Sequence, residues 1–102
     1  MKPELIDFVE KFKGKRILII GDMIADIYLK GDISRISREA PVLVLIESEE
    51  KTVAGGAANV VNNVATLGGK AFAVGILGED KGALNLKQIL EENNVNTEGM
   101  FL

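Results

Sequence analysis

Leu5, Ile6, Phe8, Val9 and Phe12 recur on one face of a helical period. They predict a short amphipathic helix from Pro3 to Phe12, with Pro3 suited to its first turn and Gly14 to its stop. The pattern then changes. Arg16-Ile17-Leu18-Ile19-Ile20 is a continuous apolar run of strand length, as in the buried strands of a parallel sheet. Gly21-Asp22 breaks it, and loops at the carboxyl ends of parallel strands are where open α/β sheets bind ligands. Ile27-Tyr28-Leu29 predicts a strand, Gly31-Asp32 a turn, and Val42 to Ile46 another strand, with the polar, irregular stretch Ser34 to Pro41 between. This reads as a small β excursion on the sheet's edge, over about residues 24–53. Thr52 to Gly56 returns the chain to the main layer.

Asn59 to Leu67 predicts a helix that Gly68-Gly69 ends. Ala71 to Leu77 is a second buried strand with Gly78-Glu79-Asp80 as its loop. Ala83 to Glu92 is a helix with Leu84, Leu86, Ile89 and Leu90 as core candidates, ended by Asn93-Asn94. Val95 and Thr97 to Leu102 approach a third strand. The order predicts an α/β sheet with a small appended lid, in a chain that stops mid-pattern and reads as the front part of a larger domain.

Composition narrows the chemistry. The 102 residues amount to one small domain, with 47% hydrophobic and 26% charged residues, ordinary for a globular protein. A net charge of −3, no basic run and few aromatic residues argue against nucleic acid or an anionic membrane as partner. Cysteine and histidine are both absent, which removes disulfides, thiolate chemistry, the usual general base and the usual transition-metal ligand. No apolar run reaches transmembrane length, and no apolar segment of signal-peptide type follows Met1-Lys2-Pro3-Glu4, so a cytoplasmic setting is expected.

The densest chemical signal is Gly55-Gly56-Ala57-Ala58-Asn59, followed by Asn63 and Gly68. Adjacent glycines admit a ligand that a Cβ would exclude. Asn59 and Asn63 are four apart and share a helix face, and each amide offers a donor and an acceptor to a sugar hydroxyl. The plainer alternative is a glycine turn before a tightly packed helix, with Asn59 as its N-cap.

These residues resemble the ribokinase-like (PfkB-type) carbohydrate kinases: Gly55, Gly56, Ala57, Asn59, Gly68 and Gly78 fall at that family's signature positions. Val61 departs, standing where the family prefers a smaller residue. Ile20-Gly21-Asp22, Gly31-Asp32, Ser34-Arg35-Ile36-Ser37 and Glu39-Ala40-Pro41-Val42 are further similar to the family's bacterial heptose-phosphate kinases, in which proline usually stands at the positions of Arg38 and Leu43. The resemblance implies a ribokinase-like Rossmann-type sheet with a β lid. It also implies transfer of the ATP γ-phosphoryl group to a sugar hydroxyl, with ATP and Mg2+ as cofactors. For the heptose enzymes the acceptor is the anomeric hydroxyl of D-glycero-D-manno-heptose 7-phosphate. Carried over, sugar contacts fall to Asp22, Gly55, Gly56, Asn59 and Asn63. The excursion becomes a lid that excludes water and joins a homodimer.

Each role has a plainer counterpart. Asp22 could cap a turn, and Asp26 and Asp32 read as solvated turn residues. Arg35 and Arg38 could hold the 7-phosphate or pair with Glu39 on the surface. Glu79-Asp80 reads as the acidic start of a helix rather than a metal site. The base and phosphate cradle of such kinases lie in a Gly-Ala-Gly-Asp-like segment that this sequence lacks, as it lacks a Walker-type loop. The expectation is therefore the acceptor side and lid of a kinase, without a catalytic Asp, and inactive alone. A different sugar or nucleoside kinase of the same fold, or a non-enzymatic dimerising module, remains open.

Overall fold

The computed structural model describes residues 2–102. Its elements are α1 (Pro3–Glu10), β1 (Arg16–Ile20), β2 (Met23–Ile36), β3 (Leu43–Gly56), α2 (Ala57–Thr66), β4 (Lys70–Ile76), α3 (Lys81–Glu92) and β5 (Asn96–Phe101). β1, β4 and β5 form a parallel sheet in the order β1-β4-β5, and β2 and β3 form a separate antiparallel pair. The predicted α/β class with an appended β element is what the chain adopts.

α2 and α3 cover one face of the parallel sheet. The covered strand positions are small: Ala71 and Ala73 on β4 are almost completely buried. That lets α2 lie close with Ala58 and Val61, both fully buried. On α3 the buried stripe is Ala83, Leu86 and Leu90, at helical spacing. Leu84, expected in the core, lies off that stripe and is 67% exposed. Two side-chain hydrogen bonds tie the layer together: Asn93 Nδ2 donates to Asn62 Oδ1 at 2.7 Å, and Thr97 Oγ1 to Glu91 Oε1 at 2.8 Å. The alternate strand positions Leu18, Ile20, Ile76 and Phe101 point the other way and are exposed. α1 forms as expected but ends at Glu10 and buries none of its side chains.

The β excursion differs from its expected form. β2 and β3 are each 14 residues long and pair from Met23↔Gly56 out to Ile36↔Leu43. Gly31-Asp32 does not turn the chain. It lies within β2, beside a register shift between Lys30 and Gly31, and a second shift falls between Ile33 and Arg35. Glycine is accommodated at 31 because a Cβ would meet the Ile46 carbonyl oxygen at 2.6 Å. The reversal comes at 37–42, where Ser37 N donates to the Val42 carbonyl at 2.8 Å. The hairpin is not hydrogen-bonded to the parallel sheet, so it is no edge strand of it. It projects instead: the radius of gyration is 18.4 Å, against about 13 Å for a compact chain of this length.

Candidate functional site

The chain passes between the two sheets at Gly21-Asp22 and again at Gly56, and these crossings meet. Ala57 N donates to the Asp22 carbonyl at 2.9 Å. Gly21 packs so near α2 that a Cβ on it would stand 3.0 Å from the Ala57 Cβ. Gly56 has φ +56°, a left-handed conformation that favours glycine, and a Cβ there would lie 2.7 Å from the Asp22 carbonyl oxygen. Gly56 is the N-cap of α2, which no side chain caps. Of the first-turn amides, that of Ala57 is satisfied by the Asp22 carbonyl instead. Asn59 is the third residue of that helix, so the N-cap alternative for Asn59 does not hold.

At the root of the hairpin the alternation of β2 separates two functions. Met23, Ala25 and Ile27 face α3 and β4: Met23 is buried, and Ala25 and Ile27 lie beside Gly82. Ile24, Asp26 and Tyr28 occupy the other face, with Gly55, Val53 and Lys51 as their cross-strand partners. Asp26 is therefore a strand residue and not a turn residue. Its carboxylate lies against the backbone of Gly55, where a Cβ would stand 2.7 Å from the Asp26 Cγ. From sequence Asp26 reads as a solvated turn residue with no part in the site. The signal that could have found it is its spacing of two from Ile24, which puts it on the strand face that pairs with Gly55 and Val53.

The structure brings Asp22, Gly55 and Gly56 to one junction, with Asp26 beside them. Asp22 is exposed and borders a cleft of about 390 Å³ at the carboxyl ends of β1, β4 and β5, together with Ile20, Gly75 and Phe101. Asn59 and Asn63 are exposed on one side of α2, opposite buried Ala58 and Val61, with Asn59 in the first turn and Asn63 one turn on. Arg35 is not brought in. It pairs with Val44 eleven residues along β2 from Ile24, or about 35 Å of strand. Arg38 lies in the reversal beyond it. Asp80 caps α3, accepting from Ala83 N at 2.8 Å, as its place before a helix suggests.

Chemically the junction offers two carboxylates and amide side chains beside the exposed Gly56. Carboxylates accept hydrogen bonds from hydroxyls, and amides both donate and accept. Among the described residues no three acidic side chains converge. No described helix is long and apolar enough to cross a membrane.

A parallel sheet entered through a glycine-capped helix, with a hairpin inserted after its first strand, defines a ribokinase-like α/β protein. A fructokinase from Xylella fastidiosa, solved with bound ATP, is 30% identical, with a TM-score of 0.59 over 86% of this chain and 26% of its own. Residues 15–101 match the pfkB family carbohydrate kinases, and the chain belongs to that family. Among curated relatives, the bifunctional protein HldE of Sulfurimonas denitrificans is 45% identical over 87 residues, 85% of this chain and 18% of the relative. The HldE of Citrifermentans bemidjiense is 41% identical over 98 residues, 96% of this chain and 20% of the relative. The chain thus spans about a fifth of the length of these relatives.

Proposed function

We propose that this chain forms the acceptor-sugar side and lid of an ATP-dependent sugar kinase, and that its sugar is D-glycero-D-manno-heptose 7-phosphate. The γ-phosphoryl group of ATP passes to the anomeric hydroxyl, ADP leaves, and the product serves the synthesis of ADP-heptose for lipopolysaccharide. The observation that carries this reading is the Asp26 carboxylate lying on Gly55 beside the glycine-capped start of α2. The HldE relatives support heptose over other sugars.

In this reading Asp26 and Asp22 accept hydrogen bonds from sugar hydroxyls. Gly55 makes room for the Asp26 carboxylate, exposed Gly56 lets the ring approach the backbone, and Asn59, with Asn63 behind it, completes the polar contacts. The hairpin covers the sugar and excludes water, which competes as phosphoryl acceptor. Its distal residues Leu29, Ile33, Ile36 and Ile46 are all more than half exposed, which favours pairing with the lid of a second copy in a homodimer. In this reading Asp22 and Asp26 bind hydroxyls and neither is the base that takes the acceptor proton, so the chain alone is expected to transfer no phosphoryl group. ATP use agrees with the ATP-bound fructokinase neighbour, and a cytoplasmic setting is part of the same proposal.

That same neighbour favours a second reading, a kinase for an unphosphorylated ketose. A coupled ADP-release assay on a protein carrying this chain within a complete kinase domain separates the two. Turnover that demands the 7-phosphate supports the heptose assignment, and equal turnover of fructose refutes it. The 102-residue chain in the same assay is expected to give none.

A further inference from the structure

We propose that Tyr28 and Lys51 recognise the distal phosphate of a sugar phosphate held at Asp26 and Gly55, an inference that rests on the sugar-binding reading above. With Asp22 and Asp26 at the sugar end, a phosphate group is repelled from the junction and must point away from it. On the face of the hairpin that carries Asp26, the successive cross-strand pairs are Ile24↔Gly55, Asp26↔Val53, Tyr28↔Lys51 and Lys30↔Glu49. Lys51 is the first cation met on leaving Asp26, and its cross-strand partner is the uncharged Tyr28. Lys30, one pair farther out, stands opposite Glu49, which offsets its charge. Arg35 lies past both register shifts, beyond the reach of a sugar at the root.

The spacing suits the task. Two residues along an antiparallel strand advance about 6.8 Å, a distance the exocyclic arm of a heptose can span from a ring seated at Asp26. Tyr28 is 61% exposed on this face. Its ring can cover the carbon face of the sugar while its hydroxyl donates to a phosphate oxygen. Lys51 supplies a mobile point charge on a flexible stem, which follows a phosphate without demanding one fixed geometry. The pair thus selects a phosphorylated sugar over its neutral parent.

The test is calorimetric or amide-resonance titration of this chain with D-glycero-D-manno-heptose 7-phosphate and with unphosphorylated heptose. The wild type should favour the phosphate. Lys51→Gln should weaken the 7-phosphate by about tenfold, the loss of one charge-assisted hydrogen bond, and leave unphosphorylated heptose unchanged. Tyr28→Phe, which keeps the ring, should lose part of the preference, and Arg35→Gln none of it. Unchanged phosphate preference in Lys51→Gln, with Asp26→Asn still weakening both sugars, overturns this inference and leaves the sugar site standing. Loss of preference in Arg35→Gln instead assigns the phosphate to the hairpin tip and also overturns it. Failure of the wild type to bind either sugar defeats both readings together.

Discussion

The carboxylate of Asp26 fills the space that a side chain on Gly55 would need, its Cγ only 2.7 Å from the position of a Cβ there. The contact joins two strands and fixes an acidic group at the mouth of a glycine junction. Gly55→Ala must push the carboxylate aside. No left-handed φ is required of Gly55, so its backbone accepts alanine. The expected outcome is sugar affinity at least about tenfold weaker, as for loss of a hydrogen bond to a charged group, with Tm nearly unchanged. Asp26→Asn should do the same. Gly56→Ala should behave differently, because its φ of +56° and the Asp22 carbonyl at 2.7 Å oppose any Cβ. A loss of about 1–3 kcal/mol in denaturant unfolding is expected there.

Asn59 and Asn62 of α2 divide between binding and folding. Asn59→Ala should abolish measurable sugar binding and leave thermal stability within about 0.5 kcal/mol of wild type, since its side chain is exposed. Asn62→Ala removes the 2.7 Å hydrogen bond from Asn93 and should cost about 1 kcal/mol while sugar affinity holds. Titration and chemical denaturation on the same pair of variants check both halves. Equal effects on binding would deny Asn59 a contact role.

The core prediction concerns two leucines of one helix. Leu86 is fully buried and Leu84 is 67% exposed. Leu86→Ala should destabilise by about 2–5 kcal/mol through lost burial and a residual cavity. Leu84→Ala should stay within about 0.5 kcal/mol. Urea unfolding midpoints decide it.

Much of this architecture was legible as pattern. The run Arg16 to Ile20 became β1, the glycine pair opened α2, and the stretch after Asn94 joined the sheet as β5. Those elements are announced by local sequence, either continuous apolar strands or helices bounded by Gly and Asn. The hairpin was underestimated because strand pairing extends through residues with no apolar rhythm of their own, such as Glu47 to Lys51. Gly31-Asp32 looks like a turn, yet glycine serves there to clear the Ile46 carbonyl. Leu84 counts as apolar in sequence, but only the helix's orientation decides which side is covered. At the site, Asp22, Gly55 and Gly56 were readable from their place after a strand and before a helix. Asp26 was not, since its meeting with Gly55 depends on cross-strand register. Arg35 shows the reverse: its chemistry suits a phosphate, and only the length of the hairpin sets it apart.

The most direct test of the central claim is an amide-resonance titration of the 102-residue chain with D-glycero-D-manno-heptose 7-phosphate. The account predicts saturable shifts centred on Asp22, Asp26, Gly55, Gly56 and Asn59, lost in Asp26→Asn. Saturable shifts centred instead on the cleft between α3 and β3, around Asn85 and Thr52, or no shifts at all, would contradict it.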